Sequence, residues 1–530
     1  MTACGENHAA TEATDFDYAA LNAQAAKEYL VSVRPGGENG RPYWNIYAKK
    51  FIYAPVFGFE EVPGAAKYRY YIWQDENHEW IFDAPTPHES LARVWDEMPV
   101  AKTVLTIQAL DERDQVIKEY ETKAFFRDYP FEGPYLPKAR SYREAGLKGL
   151  YFIHELPSTR YWLSHDEPDQ SFDLNAYFCK NIGGMVRVEC LLARELPELR
   201  KEALTIAVKA AECLIAHSFA EDQPLAYFPP TYYLEPNHKD SYPHRVWEMN
   251  QGKTMFLEAV TPASAFLDLY ELTGEERYKT QALHIADTYA RLQNEDGSFP
   301  IKVDIATGLS VERAFCTPST LLKFLRRLHN DYGIDDYEGV IARAEEWMNT
   351  QRLPSFDFTG QFEDSRIEGL KPYENLSQFI SNEYADYLLA KDKLTSQELA
   401  DVTDMVRFAE DQFVHWQEVP GKHGFPDELT PCVHEQYFFE VGIDDSAAGM
   451  SAAFLGLYLQ TGDRLALAKA LALADAITRA QNITSGLIPT SWQFNPKEVE
   501  YETFWPECSF NSASYLLRLD AVLNEINVNV

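Results

Sequence analysis

One stretch of this chain occurs twice, and no other feature constrains the fold as strongly. Residues 267–300 read LDLYELTGEERYKTQALHIADTYARLQNEDGSFP, and residues 455–489 read LGLYLQTGDRLALAKALALADAITRAQNITSGLIP. Leu267, Leu269, Tyr270, Thr273, Gly274, Ala286, Asp287, Gln293 and Asn294 recur as Leu455, Leu457, Tyr458, Thr461, Gly462, Ala474, Asp475, Gln481 and Asn482. Self-similarity on this scale marks repeated supersecondary units. Each copy predicts an apolar helix, a tight Thr-Gly turn, an amphipathic helix and a loop with a Gly and a Pro.

In the first copy Tyr278, Ala282, Ile285, Tyr289 and Leu292 share one helical face, with Glu276, Lys279 and Asp287 off it. The helix before each turn is apolar almost all round, as in 452–458, and such a helix is buried on every side. Gly274 and Gly462 stand where a helix C-cap needs positive φ, and an acidic residue follows where the next helix begins. A buried helix paired with a half-buried one, repeated, describes two concentric rings.

Periodicity extends the pattern. Buried helices are predicted at 172–195, 259–273, 314–331, 376–391, 446–461 and 509–523, with partners at 198–219, 275–293, 336–351, 395–417 and 464–481. Residues 142–156 are the candidate for the sixth partner. The fold class is therefore mainly α, an (α/α)6 toroid spanning 131–530. Residues 1–41 are a peripheral segment, with one helix predicted from Tyr18 to Val31. Between them, 42–130 changes character: Trp44–Tyr47, 67–73, 80–82, 103–110 and 116–120 are rich in aromatic and β-branched residues and are separated by turn signals. Short strands so spaced predict a β-sandwich domain of fibronectin-III or immunoglobulin type. Its expected role is structural packing on the helical domain, rather than carbohydrate binding.

The formal net charge of −34 argues against nucleic acid as a partner, which needs clustered Lys and Arg. The 7 cysteines lack CxxC spacing and several sit in helical patterns, so reduced, buried thiols are expected. The first residues show neither a basic nor an apolar signal region, and no apolar run reaches membrane-spanning length, so a cytoplasmic location and no membrane partner are expected. The chain has no Walker loop, dinucleotide fingerprint or GxSxG elbow. No cofactor and no metal ligand are expected.

The connections differ in length by side. Those after the buried helices are short, while 220–258, 294–313, 353–375, 418–445 and 482–508 are long and precede buried helices. Long loops in a compact domain are usually functional, and these gather over the N-termini of the inner ring. They carry acids, aromatics and a few bases, the equipment of a carbohydrate site. Glu363 and Asp364 in GQFED, and Glu435 in PCVHEQY, are the candidate catalytic carboxylates. His434–Glu435 begins like a zinc HExxH motif, but Phe438 ends the match. His434, Tyr437 and Asp445 are candidate substrate contacts, His434 with the alternative of a buried residue and Asp445 with that of a helix cap. His244, Arg245 and Lys253, with Arg313 and Arg366 as weaker candidates, have the charge to hold a carboxylate, or to form surface ion pairs in so acidic a chain. Trp247, Trp492 and Trp505 are candidate stacking surfaces or core.

A β-sandwich followed by a toroid carrying GQFED, PYENLS, HEQY, the Asp-Asp-Ser cap and two LxLYxxTG repeats resembles glycoside hydrolase family 154 over residues 42–523. The resemblance implies exo-acting β-glucuronidase activity on glycans. It also implies an architecture similar to unsaturated glucuronyl hydrolases, with acids at the mouth of an (α/α)6 barrel.

The expectation is removal of terminal β-linked glucuronic acid from a uronic-acid-containing oligosaccharide by paired carboxylates. A carboxyl separation of about 5–5.5 Å would give retention, and about 6.5–9.5 Å inversion. The alternatives are a polysaccharide lyase or uronyl epimerase with Tyr373 or Tyr437 as base, and a non-catalytic glycan-binding protein. A homo-oligomer is compatible with the loop-rich rim.

Overall fold

The computed structural model describes residues 16–33, 47–57, 59–312, 314–359, 370–418, 429–492 and 504–526. The predicted strand residues Trp44, Asn45 and Ile46 lie outside them.

The N-terminal strands form one six-stranded sheet. β1 (Lys50–Phe51), β6 (Lys123–Arg127), β4 (Ala101–Leu110), β2 (Lys67–Asp75) and β3 (His78–Ala84) pair in that order, and β5 (Val116–Glu119) adds to β4. The expected second, facing sheet is not formed among the described residues. The alternation that suggests a sandwich is satisfied another way. β2 and β4 bury alternate residues such as Tyr70, Ile72, Leu105 and Ile107. One buried face suffices for an antiparallel sheet whose other face meets solvent. Two small sheets lie in the helical part: β7 (Lys253–Met255) with β8 (Lys302–Asp304), and β9 (Val414–His415) with β10 (Cys432–Gln436) and β11 (Phe439–Gly442).

Six helices close an inner ring: α5 (Phe178–Glu195), α8 (Val260–Thr273), α10 (Ser319–Tyr332), α13 (Gln378–Leu389), α15 (Asp444–Thr461) and α17 (Pro506–Glu525). Each packs on the next, and α17 packs back on α5. The outer ring is α3 (Tyr142–His154), α6 (Arg200–Ala216), α9 (Glu276–Leu292), α11 (Glu338–Trp347), α14 (Ser396–Phe413) and α16 (Arg464–Ala480). The remaining helices, α1 (Tyr18–Glu28), α2 (Ala92–Trp95), α4 (Pro157–Arg160), α7 (Tyr242–Met249) and α12 (Leu353–Ser355), lie outside the two rings. None of the described helices is long and apolar enough to cross a membrane.

The repeated residues do the same work in both copies. Gly274 and Gly462 close α8 and α15 at φ 71° and 74°, where a side chain would be strained. Asp287 accepts a hydrogen bond from Tyr337 Oη at 2.8 Å, and Asp475 accepts one from Tyr142 Oη at 2.6 Å. Gln293 Nε2 donates to the carbonyls of Gly297 and Val340; Gln481 Nε2 donates to those of Gly486 and Ala145. Each pair ties an outer helix to the next outer helix. The match between Tyr337 before α11 and Tyr142 in α3 establishes α3 as the sixth outer helix, although it comes first in sequence.

The sheet is joined to the toroid by buried polar contacts. Lys50 Nζ lies 3.0 Å from Asp128, which lies 2.7 Å from His415 Nδ1. Asp411 accepts from the backbone N–H groups of Ile52 and Tyr53 at 2.7 and 2.8 Å. Glu410 accepts from Tyr29 Oη, Tyr53 Oη and Lys469 Nζ at 2.9, 2.9 and 2.8 Å.

Candidate active site

Each inner helix leaves one stripe less buried than the rest of its surface, at the i, i+3/i+4, i+7 spacing of a single helical face. On α13 the stripe is Phe379, Glu383 and Asp386; on α15 it is Asp445, Gly449, Ala452 and Gly456; on α17 it is Glu507, Asn511, Ser514 and Arg518. These stripes face the ring axis. Arg518 Nη2 reaches Asp386 Oδ1 at 3.7 Å, past the intervening α15, and Lys323 Nζ of α10 meets Asp386 Oδ2 at 2.7 Å. Further toward the C-terminal ends, Arg327 contacts Asp268 at 2.8 Å and Glu271 at 2.7 Å. Glycines leave space on the axis. A Cβ on Gly184 would meet nothing within 4 Å, and one on Gly449 only Gln378 Oε1 at 3.9 Å.

The N-terminal end of this axis concentrates unusual carboxyls. Burial pushes Glu383 up to about 7; Asp445 and Asp386 add to the rise, and Lys323 and Lys180 oppose it. Burial pushes Asp445 up to about 6, against a hydrogen bond from Asn511 Nδ2 at 3.2 Å and the charge of Lys180. Asp444 is fully buried. Its Oδ2 accepts from Ser512 Oγ at 3.0 Å, and its Oδ1 has no partner among the described residues. Burial and the neighbouring Asp445 push its carboxyl well above the usual carboxylate range. Lys180 Nζ stands 3.7 Å from Glu507 Oε2. Six inner-helix N-termini end here, and their dipoles add positive potential for an anionic group.

The sequence-derived candidates divide between this mouth and other places. Asp445 is in the cluster. Glu435 is half-buried on β10, and its charge acts on Cys508 together with those of Asp445, Asp444 and Lys180. Burial, then Asp445 and Asp444, push the Cys508 thiol well above its usual range, which disfavours the thiolate. Neighbouring residues of a strand face opposite sides. His434 accordingly turns away from Glu435, toward a cavity of about 670 Å³ between the sheet and the toroid. Tyr437 lines the same cavity and donates to Gln412 Oε1 at 2.7 Å. Trp505 precedes α17 at the rim, its ring 6.5 Å from that of Phe439, which is 38% exposed. Trp492 is buried, its Nε1 donating to the Pro489 carbonyl at 3.2 Å.

α7, in the long loop before α8, holds His244, Arg245 and Trp247. His244 is nearly buried, its Nε2 3.5 Å from Glu235 Oε1. Arg245 is exposed above the Tyr242 ring, and Trp247 packs beside His244 at 5.5 Å between rings. Lys253 Nζ donates to the Met249 carbonyl at 3.3 Å. Glu363, Asp364, Arg313 and Arg366 lie outside the described residues.

Glu383, Lys180 and Asn511 are the residues that sequence reading missed. Glu383 belongs to no motif. The available signal was the pair of acids Glu383 and Asp386, three residues apart on a largely buried helix.

No family model matches this chain, and no curated protein matches it. The expected membership of glycoside hydrolase family 154 thus has no sequence match behind it. Solved structures do match. A D-mannose isomerase aligns with TM-score 0.52 at 10% identity, over 72% of this chain and 97% of that one. A family 76 glycoside hydrolase from a bovine Bacteroides thetaiotaomicron strain aligns with TM-score 0.47 at 11% identity, over 90% and 98%. An unsaturated glucuronyl hydrolase specific for heparin aligns with TM-score 0.44 at 10% identity, over 73% and 99%. At 10% identity the isomerase match shows a shared fold and no more.

Proposed function

We propose that this protein is a glycoside hydrolase that removes terminal β-linked glucuronic acid at the toroid mouth. The observation that carries the reading is the Glu383–Asp445 pair. Two interacting carboxyls on adjacent inner helices are pushed up to about 7 and about 6. Unequal carboxyls in one cleft are the usual equipment for glycosidic cleavage.

Near pH 6.5, between those two values, Glu383 keeps its proton in a large fraction of molecules while Asp445 is largely ionised. Glu383 donates that proton to the departing glycosidic oxygen as the C–O bond breaks. Asp445 takes a proton from water as the water attacks the anomeric carbon, or itself bonds to that carbon and is released by water in a second step. Such acid–base assistance supplies roughly 10²- to 10⁴-fold in rate. Lys180 and the inner-helix N-termini attract the uronate carboxylate, and Trp505 with Phe439 offers an aromatic face for a sugar ring. Glu435 stands close enough to the cluster to contribute, and Arg245 and Lys253 on the neighbouring loop are further contacts for an acidic glycan.

Lyase or epimerase chemistry by tyrosine is less well supported. Tyr437 faces the other cavity, and burial holds its phenol well above the usual range. Tyr373 Oη is committed to the Ser355 carbonyl at 2.5 Å. Incubation with a uronate polysaccharide and with its oligosaccharides distinguishes the classes. Hydrolysis releases free glucuronate without ultraviolet absorbance from a 4,5-unsaturated product; growth of that absorbance would overturn the reading.

A further inference from the structure

At the C-terminal end of α6, three side chains of different chemistry converge. Cys213 lies in the last turn of that helix and His217 follows it by four residues, so both project from one face. Glu167 comes from the loop before α5 and meets them. Its Oε2 is 3.5 Å from Cys213 Sγ, and both its oxygens are 3.1 Å from His217 Nε2. One ligand atom from each residue lies within 4.8 Å of the other two.

Tetrahedral zinc, with bonds of about 2.0–2.3 Å, sets its ligand atoms roughly 3.3–3.7 Å apart. The Glu167–Cys213 spacing of 3.5 Å falls within that range, and the Glu167–His217 spacings of 3.1 Å fall just short of it. The imidazole is also held in place. Its ring lies 4.2 Å from that of Tyr233 and meets Phe178 edge-on at 5.6 Å. The Cys213 residue is buried, whereas the Glu167 side chain is 60% exposed, so one side is open to water.

We propose that Glu167, Cys213 and His217 bind a tetrahedral divalent transition metal of the zinc type, with water as the fourth ligand. Mixed sulfur, nitrogen and oxygen donors select zinc-like ions over magnesium or calcium, which prefer oxygen alone. The metal would clamp the loop at Glu167 to the end of α6. The proposal does not depend on the glycosidase reading.

The test titrates the chelator-treated full chain with Co2+, whose thiolate charge-transfer and tetrahedral visible bands report this ligand set, and then displaces it with Zn2+. Wild-type protein and C508S should show the bands. C213S and H217A should lose them or bind at least about a hundredfold more weakly, and E167Q should fall between. Zn2+ should also slow alkylation of Cys213 in wild-type protein, as read by peptide mass, which needs no variant to fold. If Co2+ binds wild type no more tightly than C213S and H217A, and Zn2+ leaves Cys213 alkylation unchanged, the cluster is a hydrogen-bonded ion pair and the proposal falls.

Discussion

Asn511 of the sixth inner helix donates a hydrogen bond to Asp445 of the fifth at 3.2 Å, opposing the burial that raises the Asp445 carboxyl to about 6. If Asp445 must be ionised and Glu383 protonated, kcat/KM follows a narrow bell, with limbs near 6 and 7 and an optimum between them. Removing the donor in N511A lets burial raise Asp445 further. The acid limb should then move to higher pH while the basic limb stays, a shift that pH–rate profiles of the two proteins would measure. An unmoved acid limb would separate Asp445 from catalysis.

Strand alternation on β10 gives a second prediction. Glu435 stands near the mouth cluster and His434 faces the cavity beside the sheet. E435Q should lower kcat/KM by about tenfold or more, through lost contact with substrate or with the acid pair. H434A should leave it within about twofold of wild type. Steady-state kinetics on one glucuronide substrate compares them, and the reverse order would contradict the placement.

Lys469 is 3% exposed and Glu410 is 1% exposed, with 2.8 Å between Nζ and Oε2. Replacing Lys469 by Met leaves Glu410 buried without its cation. Breaking one side of a buried ion pair costs about 3–5 kcal/mol, so K469M should unfold at markedly lower denaturant than wild type. Because Tyr29 and Tyr53 also donate to Glu410, the loss should loosen the N-terminal segment from the toroid, measurable as faster amide exchange there.

Stability should fall as pH rises toward neutrality. Glu189, Glu383, Asp411, Asp444, Asp445 and Asp475 are all raised by burial, Asp411 to about 7 and Asp475 to about 6. Between the unfolded value near 4 and the folded values, the native state holds protons that the unfolded chain has released. The stability they contribute is therefore present at low pH and is lost as pH rises, through about 6–7 for Glu383, Asp411, Asp445 and Asp475. Asp386 and Glu271 are held below their usual values and act oppositely, losing their contribution at lower pH. Thermal unfolding should show a maximum Tm near pH 5 and a decline by pH 8; a flat or rising Tm would refute this.

The rings were legible because the repeated residues are structural. Thr-Gly C-caps, the Asp287 and Asp475 acceptors and the Gln293 and Gln481 bridges fix one helix pair against the next, leaving one pattern in two places. The single N-terminal sheet was not separable from a sandwich, because Tyr70, Ile72, Leu105 and Ile107 alternate identically in either. The site was the least legible part. Motifs in long loops drew attention to His434 and Glu435 together, and only the strand pairing separates their faces. Glu383 owes its character first to burial inside the ring, and then to the opposing charges of Lys323 and Asp445 on the two neighbouring inner helices. That proximity is a product of ring closure and is invisible along the chain.

Release of 4-nitrophenol from its β-D-glucuronide, compared with the matched β-glucoside, tests the central claim most directly. The proposed site predicts that wild-type protein cleaves the glucuronide and leaves the glucoside essentially untouched. It further predicts that E383Q and D445N each lose about a thousandfold in kcat or more while remaining folded by circular dichroism. Equal cleavage of both glycosides would contradict the uronate preference, and near-normal turnover by folded E383Q would remove the Glu383–Asp445 pair from the mechanism.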